Sequence, residues 1–336
     1  MAFARAVVLA YRIRGGDPSG ALASAGIDPA VIGDPRARLT SLPFERLCAH
    51  AMRELDDEAL GWFARRLPWG SYGMLARASL TAAQLGLALA RWCRHHRLLT
   101  DDVVLTLDVG GALAWLTLHE RRTPGSELPD PTDRATVREL AHVSLLRNAL
   151  GLASWWIDSR IVLREVALAY DAPLHANAYA VLFPGAQISF DAGQTRVAFD
   201  ATYLAQPLRR DEVALRALLQ RAVRLMVQPY RHDRLLVERA RAWLRLHPRE
   251  ADTARLAAAL HVSVRTLQRH LAAAGVSVQT LKDQVRRDLA LQHLQRTRWP
   301  IKRVAAQVGF DNEKSFIRAF KLWTGLTPAV WRREHG

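Results

Sequence analysis

The chain has 336 residues, half of them hydrophobic and about a quarter charged, which is the profile of a globular protein long enough for two domains. No apolar run reaches the roughly 18 to 20 residues of a membrane helix, and two cysteines, Cys48 and Cys93, exclude a disulfide framework. The net charge of +15 is concentrated: from Tyr230 to the end there are 21 Lys+Arg against 9 Asp+Glu, while the first 229 residues hold 26 against 23.

A basic last third joined to a nearly neutral remainder points to a polyanionic partner. A genome biased toward arginine is the competing explanation, but such a bias would not spare the first two thirds. The opening MAFARAVVLAYRIRGG has an apolar patch interrupted by Arg5 and no small-residue cleavage site, so no signal peptide is expected. With reduced cysteines and no membrane segment, the expected location is the cytoplasm.

In chain order, SLPFERLCAHAMREL and SLTAAQLGLALARWCRHHRLL repeat apolar residues at three-to-four spacing, with Ser41 and Thr81 placed to start helices. Asp56-Asp57-Glu58 reads as a solvated helix start rather than a catalytic pair. Cys93 and His96, three apart, supply too few ligands for a zinc site. DDVVLTLDVGGALAWLTLHE alternates on either side of Gly110-Gly111, a hairpin signal. A long helix over TDRATVRELAHVSLLRNALGLASWWIDS follows, with Trp155-Trp156 expected in the core. REVALAY, QISF and TRVAFD read as strands, and RRDEVALRALLQRAVRLM as one helix ending before Pro229. His175, Asn177 and Tyr179 form a polar group beside an apolar run and are the candidate ligand-binding residues. The domain this predicts, 1–228, is α+β. It holds no glycine-rich phosphate loop, zincin motif or nucleophile elbow, and neither a catalytic residue, a metal site nor a cofactor is expected.

From 229 to 336 strand patterning disappears and a repeat takes over. Leu256-Ala257-Ala258 aligns with Val304-Ala305-Ala306, and His261 with Gly309. After one extra residue at the second turn, Ser263 aligns with Asn312, Arg265 with Lys314, Leu267 with Phe316, Arg269 with Arg318 and Leu271 with Phe320. Each half reads as helix, tight turn and capped helix: two helix-turn-helix units, about 251–273 and 301–322, in an all-α domain. The turn wants positive φ, which glycine adopts freely and histidine tolerates. Ser263 and Asn312 are strong N-caps. Beyond them Arg265, Gln268 and Arg269 share one face, as do Lys314, Ile317, Arg318 and Lys321, while the leucines and phenylalanines face inward. Arginine and glutamine on the first turns of such a helix suit bidentate contacts to guanine and adenine in the major groove. Between the units SVQTLKDQVRRDLALQHLQRT reads as one helix with Val278, Leu281, Val285 and Leu289 inward. Its about 19 residues span about 28 Å, near the roughly 34 Å between successive major-groove faces of B-DNA. Arg286, Arg287, Arg298, Lys302 and Arg303 are the expected phosphate contacts.

RRDLALQHLQRTRWPIKRVAAQVGFDNEKSFIRAFKLWTGLTPAVWRR also resembles the DNA-binding domain of AraC/XylS-family bacterial transcriptional regulators. The pattern comprises Arg286, Ala290, Leu294, Ile301, Ala305, Gly309-Phe310, Phe316, Arg318, Phe320-Lys321, Gly325 and Pro328. The resemblance runs from about 234 to 333. It implies that positions matching Arg265, Gln268, Arg269, Lys314, Ile317 and Arg318 enter the major groove. His261 stands where glycine is common, Lys314-Ser315 where Ser-Ala is common and Trp331 where Tyr is frequent, departures that bear on base preference. ALASAGIDPAVIGDPRARLTSLPFERLCAHA and GSYGMLARASLTAAQLGLALARWCRHHRLL resemble the arabinose-binding-type sensor of one branch of these regulators, whose members respond to varied small molecules. The expectation is therefore a non-enzymatic, dimeric, sequence-specific regulator of transcription, acting as an activator. Its partners would be promoter DNA, RNA polymerase and a small-molecule effector that favours one arrangement of the domains. The alternative is a DNA-binding module fused to an enzyme such as a DNA-repair alkyl acceptor, which needs an activated thiolate.

Overall fold

The computed structural model describes every residue from 1 to 336 except Pro35, Ala251 and Gly336, so the expected start of the first helix-turn-helix at 251 lies outside the described residues. The chain divides into two compact units, Met1–His232 and Asp233–Gly336. Among the described residues no helix is long and apolar enough to cross a membrane.

The first unit contains helices α1 (Ala2–Arg14), α2 (Ser19–Ala25), α3 (Ser41–Glu54), α4 (Ser71–Leu80), α5 (Leu85–His96), α6 (Pro131–Trp156), α7 (Tyr179–Leu182), α8 (Glu212–Leu219) and α9 (Val223–Val227). Its strands are β1 (Val103–Gly110), β2 (Leu113–Glu120), β3 (Leu163–Ala167), β4 (Gln187–Ser189) and β5 (Thr195–Asp200). The axis of the unit is α6. The Asp130 carboxylate caps it by accepting from the N–H groups of Thr132 and Asp133, and proline occupies the first turn, where its missing N–H costs nothing. From Glu139 to Ile157 only Asn148 escapes full burial, which makes this a helix packed on every side, and Trp155 and Trp156 are core residues. Asp133 accepts from Arg5 at 2.6 Å and Arg12 at 2.9 Å, tying α1 to its start.

The five strands form one sheet in the order β1-β2-β5-β3-β4. All pairs are antiparallel except β3 with β4. The expected hairpin is present: Gly110 pairs with Leu113 and Gly111 takes φ +61°.

Three local expectations need correction, each because a tertiary contact overrides a local signal. Thr81 ends α4 instead of opening a helix. The next helix waits until Leu85, because Gln84 is extended and bridges Pro207 while the Leu85 N–H bonds the Gln206 carbonyl at 2.9 Å. The stretch 209–226 is two helices, not one. Leu219 packs α8 close to Gly73 of α4, whereas Leu225 packs α9 close to Gly151 of α6, and the chain turns between them. Asp57 and Glu58 are buried and start no helix. The Asp57 carboxylate accepts the N–H groups of Ala59, Gly61 and Leu67 and takes the Arg14 guanidinium at 2.8 Å. It organises a loop whose backbone donors would otherwise be orphaned.

The second unit is entirely helical: α10 (Leu236–Leu246), α11 (Thr253–Ala259), α12 (Val264–Ala273), α13 (Val278–Arg296), α14 (Ile301–Gln307), α15 (Glu313–Thr324) and α16 (Pro328–His335). It has two small cores strung on α13. Leu281 and Val285 enter the first with Leu244, Leu256, Leu267 and Leu271. Ala290 and Leu294 enter the second with Val304, Phe316, Phe320 and Trp331. Leu289 packs against both, and Val278 is partly buried against the first. A mainly helical protein, α+β at the start and all-α at the end, is thus the observed fold class.

Candidate nucleic-acid interface

Each pair of helices α11–α12 and α14–α15 meets at a tight turn with a left-handed residue. His261 has φ +53° and Gly309 φ +87°. The caps follow: the Ser263 hydroxyl accepts the Thr266 N–H at 3.1 Å, and the Asn312 side chain accepts the Ser315 N–H at 2.8 Å. With start points fixed, helical period decides which side chains face out. Leu267 and Leu271 are buried on α12, as are Phe316 and Phe320 on α15. Arg265, Gln268 and Arg269 are exposed, as are Lys314, Arg318 and Lys321, while Ile317 is half-buried.

These cations are free to meet an outside anion. Among the described residues no carboxylate pairs with Arg265, Arg269, Lys302, Arg303, Lys314, Arg318 or Lys321. Arg303 lies over the Trp299 ring at 4.2 Å with its charge still exposed. Arg298 is also exposed, and Arg287 is half-exposed with Asp288 3.1 Å away.

Arg286 is different. Expected among the phosphate contacts, it turns inward from α13 and donates to the carbonyls of Gly309 at 2.9 Å and Pro248 at 3.2 Å, over the Phe310 ring at 5.0 Å. Burial lowers its pKa. Arg249 donates to the Ala306 carbonyl at 3.0 Å, so the segment ahead of the first helix-turn-helix is strapped to the turn of the second. A Cβ at Gly309 would lie 2.1 Å from the Pro248 oxygen, so this glycine answers both to φ and to close approach. The spacing of Arg286 on an amphipathic helix carried no sign of this role.

In the first unit the expected polar trio splits. Tyr179 is buried: its hydroxyl donates to Glu139 at 2.6 Å and lies 2.8 Å from the Tyr170 hydroxyl, and burial raises its pKa, so it belongs to the core. His175 lies 2.7 Å from the same Glu139 oxygen and, with Asn177, borders an opening of about 540 Å³. The trio did not point to a second, narrower cavity of about 240 Å³ walled by Trp62, Trp69, Tyr72 and Trp92, with Glu58 and Asn148. The aromatic tract GWFARRLPWGSYG was the available signal for it.

Neither cysteine is set up for chemistry. Burial pushes the Cys48 thiol well above its usual range and that of Cys93 up to about 12, the reverse of an activated thiolate. Among the described residues no cluster of His, Cys, Asp and Glu is arranged to hold a metal.

Two family profiles match the chain. One, described as the arabinose-binding domain of AraC transcription regulator, N-terminal, covers residues 15–208, and the other, a helix-turn-helix domain, covers 256–334. The ornithine utilization regulator of Pseudomonas aeruginosa is 30% identical over 92% of this chain and 88% of its own length. An uncharacterized HTH-type transcriptional regulator of Mycobacterium bovis is 25% identical over 96% of this chain and 92% of its own. Among solved structures, the transcriptional regulator CdpR from Pseudomonas aeruginosa is 22% identical over 94% of this chain and 96% of its own, with a TM-score of 0.35.

Proposed function

This chain belongs to the AraC family of DNA-binding transcriptional regulators, and we propose that it reads two neighbouring major-groove segments of one operator under the control of a small-molecule effector. The observation that carries this is the pair of capped helices α12 and α15, each presenting exposed, carboxylate-free cations on its first turns. On α12 the base-reading set is Arg265, Gln268 and Arg269; on α15 it is Lys314, Ile317 and Arg318. Ser263 and Asn312 set the helix starts and offer first-turn N–H groups to phosphate. Arg287, Arg298, Lys302 and Arg303 supply further phosphate contacts. Arg286 does not join them; inside the second unit it holds the Pro248 segment against the turn of the second helix-turn-helix.

The 19-residue α13 is the spacer between the reading heads. Its length of about 28 Å falls short of the roughly 34 Å groove repeat, so modest DNA bending accompanies double engagement. The arabinose-binding-type unit supports effector sensing and dimerisation, which would place four reading heads on paired sites in the cytoplasm. Activation through RNA polymerase is the sense of regulation the family resemblance supports. The Pseudomonas aeruginosa relative is named for ornithine utilization, which supports a role in controlling a metabolic pathway.

The test is selection of bound sequences from random DNA with the full chain, followed by hydroxyl-radical footprinting. Two protected groove segments about 10 base pairs apart per protomer are expected. A single segment, or protection without sequence preference, overturns double groove reading. Transcription from the selected site with and without the protein decides between activation and repression.

A further inference from the structure

The cavity walled by Trp62, Trp69, Tyr72 and Trp92 has an electrostatic feature that ordinary core packing does not require. Glu58 lines it, is only 8% exposed, and among the described residues faces no cationic partner. One carboxylate oxygen accepts the Gly70 N–H at 2.9 Å and the other the Tyr72 N–H at 2.7 Å. Those bonds fix the group in place and use half of a carboxylate's four acceptor positions. Arg77, itself on the wall, pairs with Glu212 at 2.9 Å, Arg14 pairs with Asp57 at 2.8 Å, and Arg53 lies over one face of the Trp69 ring at 4.7 Å rather than against Glu58. Burial raises the pKa of Glu58, the two N–H bonds oppose that, and Asp56 and Asp57 add to the rise, so an entering cation would relieve an existing penalty.

The rest of the wall suits the same kind of guest. Tyr72 and Trp92 stack at 5.8 Å, and aromatic faces attract cations as well as apolar bodies. The Asn148 side chain, the one incompletely buried position between Glu139 and Ile157, borders the space as a neutral polar group. A volume of about 240 Å³ corresponds to roughly eight waters at about 30 Å³ each, hence a guest on the order of eight to ten non-hydrogen atoms.

We propose that this cavity is the effector site and that its ligand is a small organic amine with an apolar body, its ammonium held by Glu58 and its body by the tryptophans. The assignment rests on the regulator reading above and specifies the effector's class. One side of the cavity is formed by α8 and α9, the last helices before the chain passes to Asp233. A bound amine ties these helices to α4 and α6, which gives the ligand a differential contact through which to bias the protein.

The test uses the full chain and 2-phenylethylamine as probe, with 2-phenylethanol and phenylacetate as neutral and anionic counterparts, read by tryptophan fluorescence and thermal midpoint. The amine is expected to bind at least tenfold more tightly than the alcohol, and the carboxylate more weakly still. Glu58→Gln should erase the preference for amine over alcohol. Because that variant alters a backbone anchor, Trp69→Ala, which leaves both Glu58 bonds in place, should independently weaken amine binding at least fivefold. Equal binding of the three probes, an amine preference that survives Glu58→Gln, or amine affinity unchanged in Trp69→Ala overturns the site. DNA binding of the same preparations to the selected operator is measured in parallel. Retained operator binding without amine binding sinks the effector assignment alone; absent operator binding sinks the regulator reading on which it rests.

Discussion

Arg269 and Arg318 stand at matching positions on α12 and α15, exposed and without a carboxylate partner, so each guanidinium is available for a bidentate contact. Arg269→Ala or Arg318→Ala should cost about 1–3 kcal/mol on the selected operator and relax preference at one base pair. Measured against random DNA, an equal loss would show contact with phosphate alone. Lys302→Ala should behave oppositely, weakening all sequences alike and lowering the salt slope by about 1. A different residue should contribute acid sensitivity to the first unit. His96 is fully buried, and burial lowers its pKa to about 4, whereas in the unfolded chain it takes a proton near pH 6.5. Between those values the unfolded chain binds a proton that the folded chain refuses, so stability present above the unfolded pKa is lost as pH falls toward the folded one. From pH 7 to pH 5 the loss from this group is on the order of 2 kcal/mol. Buried His142 shifts in the same direction, so the comparison must be with His96→Leu, whose urea midpoint should fall less over that interval. Parallel pH profiles for the two proteins would remove His96 from the account.

Helices α11–α12 and α14–α15 owe their arrangement to a strap as well as to their two cores, and glycines distinguish its parts. Gly309 and Gly325 both have positive φ, +87° and +79°, but only at Gly309 would a Cβ strike backbone, 2.1 Å from the Pro248 oxygen. Gly325→Ala should therefore cost about 1–2 kcal/mol for the left-handed conformation alone. Gly309→Ala should cost clearly more and displace the Pro248 segment; equal thermal midpoints for the two variants would contradict the strap. Arg286→Ala should likewise lower the midpoint, because it leaves two carbonyls without their donor, while Arg287→Ala should not. These helices were legible beforehand because their signals are local: caps at Ser263 and Asn312, left-handed turns at His261 and Gly309, and a strict inward spacing of leucine or phenylalanine. The hairpin at Gly110-Gly111 and the long, well-capped α6 were legible for the same reason. What stayed hidden was set by distant partners. Gln84 is extended by its bridge to Pro207, Asp57 is drawn inward by loop donors, and Arg286 is claimed by two carbonyls far from it in sequence. The reading face was thus visible in outline, whereas the aromatic cavity required six helices to converge.

Across the whole molecule the charge is divided as the labour is. The last 107 residues carry an excess of 12 positive charges and the first 229 an excess of 3. Binding to DNA releases counterions in proportion to the phosphates neutralised, with a slope of about −0.9 per contact in log K against log salt. Among the described residues eight exposed side chains without carboxylate partners are positioned for this: Arg265, Arg269, Arg298, Lys302, Arg303, Lys314, Arg318 and Lys321. Not all reach phosphate at once, since those that read bases contribute less to the slope. A protomer engaged through both heads should then show a slope of about −4 to −6. If only one head engages, roughly half the cations are used and the slope should be about −2 to −3. Lys302→Ala combined with Lys321→Ala should move the value toward zero by about 2. Charge reversal on the first unit, for example Arg121→Glu, should leave it unchanged, because the proposed groove contacts all belong to the second unit. Titration of the selected operator at four or five salt concentrations distinguishes these cases. A slope that responds to Arg121→Glu but not to the double lysine variant would mean that the DNA lies against the wrong unit.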